Sequence, residues 1–377
     1  MPFYFSFVND IFRALVVFDC FLRKVSIMEK ENYSAVISNR GILECHKTEI
    51  PELKDNEVLV KTHASLISPG TEMNGVKHLR QNPQEKEDYF KFGYSCAGEI
   101  IAVKGDVKNL KPGMRVACMG LTSTHSSYNA VPCNLAVPLP DNVSYEEGCF
   151  ASLAATSLQA VRRSDVQLGE YGVVLGLGIV GNIAAQLYRI AGARTLAWEA
   201  LPLRRKIAKK CGVQSINFMR TNAVEKSKEF AFPYGMDFAL MAFGGDGSKA
   251  FESVKNVMKV SADGHQMGRV VVVGGCSLTF TGGAVSGNLD VRASSRTGAG
   301  YHDKDWEYGK DYPDVFVQFT TTRNVRELLQ LIAEKRLKVM PLITHTMRVQ
   351  AIAEAGEMLI EHPDKTLGII LKYDGEK

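Results

Sequence analysis

No stretch of the 377 residues is an unbroken apolar run of about 20, the length a membrane-crossing helix needs. No sign of charge dominates either. The 45 Lys and Arg and 41 Asp and Glu leave a formal net charge of +4, spread along the chain, which gives no argument for nucleic acid. The cysteines, Cys20, Cys45, Cys96, Cys118, Cys133, Cys149, Cys211 and Cys276, include no C-x-x-C pair, and the eight histidines include no H-x-x-x-H pair. A metal site built from neighbours in sequence is thereby excluded, and buried free thiols in a reducing cytosol are expected. Internal repeats and low-complexity tracts are absent. Disorder over most of the length is excluded too, because 45% hydrophobic residues supply ample material for a core.

The length suggests two domains at roughly 100–200 residues each. Residues 1–27 are apolar but broken by Asp10, Arg13, Asp19 and Arg23, so they lack the continuous core of a secretory signal. They read as an extension outside the fold, with an interfacial amphipathic helix as the second reading. From Tyr33 to about 150 the pattern is short strands (57–68, 98–105, 111–120, 126–140) punctuated by Gly and Pro, which points to a small barrel. Near 150 the texture changes. A helix with small residues (152–166) is followed by strand, glycine turn, helix, strand and helix over 171–212. Strands at 236–243 and 268–275 enclose a helix at about 248–260, helices follow at 323–337 and 350–363, and a last strand lies at 368–374. Such alternation implies a parallel, doubly wound sheet.

Gly176-Leu177-Gly178-Ile179-Val180-Gly181 is a G-x-G-x-x-G between an apolar strand and a helix, the context in which the motif binds a dinucleotide. Gly176 allows the tight turn, Gly178 lets a pyrophosphate reach the backbone, and Gly181 lets helix and strand pack closely. The free N–H groups of Ile179 and Val180 at the helix start would hold phosphate. Glu199, 23 residues after Gly176, ends the second strand, where a carboxylate binds ribose hydroxyls and repels a 2′-phosphate. NAD is therefore favoured. Arg204 and Arg205 keep NADP open, or they are solvent-facing charges on the next helix.

With these residues in view, the chain resembles the medium-chain dehydrogenases/reductases. The resemblance runs from about 33 to 374 and includes GEIIAVKGDVKNLKPGMRV in the first half. It implies an α/β fold: a GroES-like β-barrel catalytic domain (28–151, completed by 339–377) and a Rossmann NAD(P)-binding domain (152–338), with the nicotinamide in the cleft between them. It also places Thr156 among the cofactor contacts. The departures concern zinc. Ser68 stands where zinc-dependent members carry a Cys, Tyr94 where they carry a His, Ser95 where they carry a Glu, and Ser152 near the third ligand position. The four-Cys lobe is missing. A hydroxyl and a phenol do not replace a thiolate and an imidazole around Zn²⁺. The strings ISPGTE and GYSCAG resemble a zinc-free branch that includes bacteriochlorophyllide-type dehydrogenases and the dehydrogenase half of bi-domain oxidoreductases.

Without zinc, other groups must polarise the substrate oxygen and move its proton. The resemblance brings Ser68, Thr71, Tyr94 and His125 to the cleft, His125 as a pocket-wall residue. The alternatives are a turn for Ser68 and Thr71, packing for Tyr94 and a satisfied wall histidine at 125. The segment 301–312 mixes Tyr301, His302, Trp306, Tyr308 and Tyr312 with Asp303, Asp305 and Asp311, a composition that can bind sugar or form a surface loop or dimer contact. The expected function is zinc-independent, NAD(P)-dependent interconversion of a secondary alcohol and ketone on a hydroxylated, sugar- or polyol-like small molecule, in a cytoplasmic homodimer paired through 268–275 and 288–296. Quinone or enone reduction with NADPH, and a non-catalytic nucleotide-binding relative, are the competing readings.

Overall fold

The computed structural model describes residues 31–373. The reading of residues 1–27 therefore lies outside the described residues. The chain is α/β, as the alternation of patterns predicts. Its first half forms a seven-stranded sheet around the long strand Glu57–Ile67, with a separate three-stranded sheet from Asn32–Ser38, Leu43–Thr48 and Tyr89–Lys91. Glu57–Ile67 pairs antiparallel with three strands: Ser95–Lys104, Tyr128–Pro132 and, from the other end of the chain, Gly368–Lys372. The C-terminal strand is fully apolar and buried at Ile369, Ile370 and Leu371, so it feeds the barrel core from both of its faces.

The second half is a six-stranded, all-parallel sheet. Its spatial order is Gln214–Ile216, Arg194–Trp198, Tyr171–Leu175, Phe238–Met241, Met267–Val273, Asn288–Ser294. Numbered along the chain, that is 3-2-1-4-5-6, the dinucleotide-binding arrangement whose ligand crevice lies outside the carboxyl ends of the strands. Among the described residues no helix is long and apolar enough to cross a membrane.

The helix Ala151–Arg163 packs on both halves. Its Ala and Ser residues are small, so neighbouring elements approach closely, and nine of its thirteen residues are buried. The Ser157 hydroxyl donates both to Leu153 O (3.0 Å) within the helix and to Val180 O (3.0 Å) at the start of the helix after the glycine turn. A second helix, Thr71–Gln81, is one that the strand-rich pattern of the first half does not predict. Its Gly75 obscures the helical signal, yet Met73, Val76 and Leu79 follow helical spacing into a core they share with Phe92 and Ile369. Pro69 and Gly70 precede it, and Glu72 sits in its first turn, where the helix dipole favours negative charge.

Candidate active site

Three of the four residues expected to carry chemistry gather at the end of the strand Glu57–Ile67, and the fourth lies behind them. Ser68 is buried (4% exposed), and Thr71 opens the helix that follows. Tyr94 lies just before the neighbouring strand. Gly93 makes this possible: its φ is +112°, and a Cβ there would fall 2.5 Å from the backbone nitrogen of His125. Burial raises the Tyr94 phenol above its ordinary range, the Glu72 carboxylate adds to that, and the hydroxyls of Ser68 and Thr71 act in the opposite direction. Tyr94 is therefore a neutral hydrogen-bond donor near neutral pH. Tyr301 adds a smaller push in the same direction as Glu72, and its own phenol is raised to about 12, chiefly by burial.

His125 is the correction within this group. It is 0% exposed and lies behind the cleft rather than on its wall. Its Nδ1 shares a 2.8 Å hydrogen bond with Ser65 Oγ, and its Nε2 stands 3.3 and 3.5 Å from the two oxygens of Glu72. With both ring nitrogens engaged inside the protein, it has no face for a substrate. Glu72, which the sequence offers as a residue that could orient or cap the loop without a catalytic role, joins the group. Its side chain is buried, and Oε2 accepts a 2.6 Å hydrogen bond from the Ser68 N–H. The only sequence signal for it is a Thr-Glu pair after Pro-Gly, a helix start that the strand reading passes over.

The segment 298–313 also departs from expectation. Its acids and aromatics are committed within the chain. Asp303 caps a short helix through the N–H groups of Asp305 and Trp306 and accepts from the Tyr312 hydroxyl. Asp311 pairs with Lys108 at 2.7 Å, Tyr308 donates to Glu57 at 2.8 Å, and Trp306 is 2% exposed. The segment is a strap across the barrel whose acids and aromatics are already partnered within the chain. Tyr301 is the part of it that approaches Tyr94.

In the glycine turn each residue has the geometry its place demands. Gly176 has a φ of +89°. A Cβ on Gly181 would lie 2.0 Å from the Gly176 carbonyl, whereas a Cβ on Gly178 would meet nothing within 4 Å. That open space fronts the helix Ile179–Ile190, whose N-terminus has no side-chain cap, so the N–H groups of Ile179, Val180 and Gly181 face an anion cradle. Glu199 (5% exposed) lies beside it and accepts from the N–H groups of Leu177 (2.8 Å) and Leu201 (2.9 Å). Each of its oxygens keeps a second lone pair for a ribose hydroxyl. Arg204 points at this carboxylate (3.8 Å) rather than out to solvent, and Arg205 caps the carbonyls of Glu199 and Ala200. Thr156 is half-buried, with its hydroxyl on the Ser152 carbonyl (3.2 Å) of its own helix. These residues fit a dinucleotide.

They do not fit zinc at the Ser68–Tyr94 position. A serine hydroxyl, a neutral phenol and a carboxylate already held by Ser68 N–H and His125 offer no thiolate or free imidazole. Among the described residues, no three His, Cys, Asp or Glu side chains converge on a metal-sized site. The nearest thiols, Cys96 and Cys118, face each other across paired strands, and burial pushes the Cys118 thiol far up.

The alcohol dehydrogenase GroES-like domain family matches residues 54–163. A sorbitol dehydrogenase from Bacillus subtilis (strain 168) is 30% identical over 236 residues, 55% of this chain and 67% of that enzyme. The chain belongs to the medium-chain dehydrogenase/reductase family. It is an alcohol-dehydrogenase-like oxidoreductase by that relationship. The fold agrees: an Escherichia coli oxidoreductase/dehydrogenase of unknown specificity superposes with a TM-score of 0.76 at 19% identity, covering 92% of this chain and 100% of that one. An alcohol dehydrogenase from Escherichia coli CFT073, solved with NADH, gives 0.71 at 17% identity over 91% and 99% of the two chains.

The glycine geometry gives a paired prediction for this family member. Gly178→Ala should leave thermal stability unchanged and weaken NADH binding in a fluorescence titration, since its Cβ enters only the space a pyrophosphate would use. Gly181→Ala should instead lower stability by about 1–3 kcal/mol through overpacking. Equal effects of the two on unfolding would contradict the cradle.

Proposed function

We propose that this chain interconverts a secondary alcohol and its ketone on a polyol-like small molecule, using a nicotinamide cofactor and no metal. The observation that carries this reading is a half-buried Tyr94 flanked by Ser68 and Thr71 at the end of the barrel strand. The dinucleotide would be held by Gly176, Gly178, Ile179, Val180 and Gly181 at the pyrophosphate and by Glu199 at the ribose. The cofactor, when bound, supplies or accepts the hydride. In carbonyl reduction Tyr94 donates its phenolic proton to the substrate oxygen as negative charge develops there, and the Ser68 and Thr71 hydroxyls stabilise the phenolate left behind. Thr71, exposed to solvent, is the route by which that phenolate regains a proton. Glu199 favours NAD, because its fixed charge opposes a 2′-phosphate and Arg204 is turned toward it.

Support for a polyol comes from the Bacillus subtilis sorbitol dehydrogenase and not from the 298–313 strap, whose acids are already paired. Tyr301 beside Tyr94 favours a second reading, reduction of a flat quinone or enone. A panel of polyols, sugars, ketones, quinones and enones followed by nicotinamide absorbance separates the two. On the substrate so identified, Tyr94→Phe should cut kcat about 10²-fold, the scale of general acid catalysis, with NADH affinity unchanged. Full kcat in that variant would remove Tyr94 from the reaction.

Metal independence has its own measurement. Elemental analysis of the purified protein should find far less than one zinc per chain, and EDTA should leave the rate unchanged; stoichiometric zinc would reverse this part of the reading.

The assembly we favour is a homodimer. Asn288–Ser294 bonds on one side only, to Met267–Val273, and ends the parallel sheet as an open edge with Leu289 and Val291 half-buried. Such an edge invites pairing with a second copy. Light scattering should give twice the chain mass, and a single monomeric peak would count against the dimer.

A further inference from the structure

We propose that Tyr301 is a substrate-binding residue: its phenolic hydroxyl donates to a second oxygen of the substrate, so that the cleft selects a vicinal diol, or the matching hydroxyketone, over a simple alcohol. This deepens the reading of the cleft as an alcohol and ketone site and rests on it.

The first support is placement. The antiparallel ladder of Ser95–Lys104 and Arg115–Met119 pairs Ser95 with Met119, and it runs one residue further through a 3.1 Å bond from the Gly120 N–H to the Tyr94 carbonyl. Tyr94 and Gly120 therefore stand opposite each other, and residues so paired direct their Cβ positions to the same face of the sheet. Gly120 has no side chain. A Cβ there would lie 2.9 Å from Leu135 Cδ1 and 3.6 Å from Tyr301 Cε2, so the Tyr301 ring borders the space that a side chain would fill, next to Tyr94. The acids of the strap are committed elsewhere, but this one residue reaches the reacting end of the cleft.

The second support is that Tyr301 is held everywhere except at its hydroxyl. Its carbonyl accepts from Arg296 Nη1 at 3.3 Å, and the N–H of His302 donates to Glu307 at 2.8 Å. On the other side, Gly300 packs so closely on the buried Trp306 that a Cβ would lie 2.2 Å from the indole. Arg296 and His302 hold φ angles of +65° and +71°, a left-handed conformation that costs a non-glycine residue free energy and collects at binding and active sites. The anchors of the strap to the barrel, Tyr308 on Glu57 and Asn134 on the Trp306 carbonyl, keep that conformation in place. The His302 ring, with its centroid 4.1 Å from that of Tyr301, covers part of the phenol ring. The hydroxyl, by contrast, has no hydrogen-bond partner among the described residues. Burial raises the phenol to about 12, so it keeps its proton as a donor. A half-buried donor left open beside Tyr94, on a backbone fixed from both sides, is what a preorganised contact requires.

The test uses the full-length protein with NADH bound. An added alcohol then has no oxidant, so binding is read without turnover. Saturation-transfer NMR compares vicinal cyclohexanediol with cyclohexanol, which lacks the second hydroxyl. Wild type should bind the diol more tightly, and Tyr301→Phe should reduce that preference about 3- to 10-fold, the scale of one neutral hydrogen bond. The variant should melt with wild type, because the hydroxyl it loses makes no internal bond; a clear fall in Tm would assign that hydroxyl a structural role instead. Equal binding of the two alcohols by wild type, or an unchanged preference in Tyr301→Phe, would overturn the proposal. So would a flat quinone that binds wild type and Tyr301→Phe alike and is lost in Tyr301→Leu, since the ring would then be the contact. Oxidised nicotinamide separates the two claims. A diol preference lost in Tyr301→Phe with no turnover of either alcohol sinks the functional reading alone, and turnover with the preference intact in that variant sinks this inference alone.

Discussion

A carboxyl group buried in a protein interior needs polar partners, and the architecture of the cleft follows from meeting that demand at Glu72. Transfer of an unpaired charge from water costs far more than a domain can spare. The solution draws on three separated stretches of chain: Ser65 to Glu72, running from the end of the central strand into the helix that follows, His125 from the loop before Tyr128–Pro132, and Tyr373 after the last strand. Once these are fixed, the phenol of Tyr94 has little freedom, because Gly93 is packed against the backbone of His125 and the Phe92 carbonyl accepts from the His125 N–H at 2.8 Å.

The strand Glu57–Ile67 lets those three stretches meet. Pairing with three antiparallel partners places its carboxyl end deep in the barrel, and the partner from the C-terminus brings Tyr373 alongside Ser65. Non-local pairing of this kind has a high loop-closure cost, which the buried Ile369, Ile370 and Leu371 offset by filling both faces of the closing strand. Core packing and proton chemistry therefore depend on the same strand. The cofactor side is organised differently. Gly176, Gly178 and Gly181 act within six consecutive residues, and Glu199 is one strand away.

That contrast explains what can be read from the sequence and what cannot. The glycine turn was legible because its function is local: each glycine's role follows from backbone sterics at its own position. The parallel sheet was legible because strand and helix periods alternate cleanly over 171–273. Ser68, Tyr94 and Thr71 came from resemblance, and the structure gathers them. Glu72 was legible only as a residue that could orient or cap its loop, since its other partner, His125, lies 53 positions away. His125 was misplaced for the same reason: composition gives its chemistry, and only the fold gives its burial. The 298–313 strap shows the opposite failure. Its acids and aromatics have the composition of a sugar site, but Glu57, Lys108 and Asn134, distant in sequence, engage Tyr308 and Asp311, while Asn56 and Asn134 hold the backbone carbonyls of Tyr308 and Trp306.

In the metal-free reading proposed above, the residues at the zinc-ligand positions and the groups around Tyr94 belong together. A zinc ion would stabilise a developing alkoxide by its charge, so the groups around it need not be good proton donors. Without it, the oxygen needs a donor that keeps its proton until charge develops. A phenol in water gives that proton up near pH 10. Burial and a nearby carboxylate push that point higher, which would weaken the phenol as an acid if nothing received the phenolate. The Ser68 and Thr71 hydroxyls pull in the other direction and recover part of the acidity that burial and the carboxylate remove. In that reading, the opposed influences on a single oxygen, burial and a nearby carboxylate on one side and two hydroxyls of one turn on the other, take the place of a metal's charge.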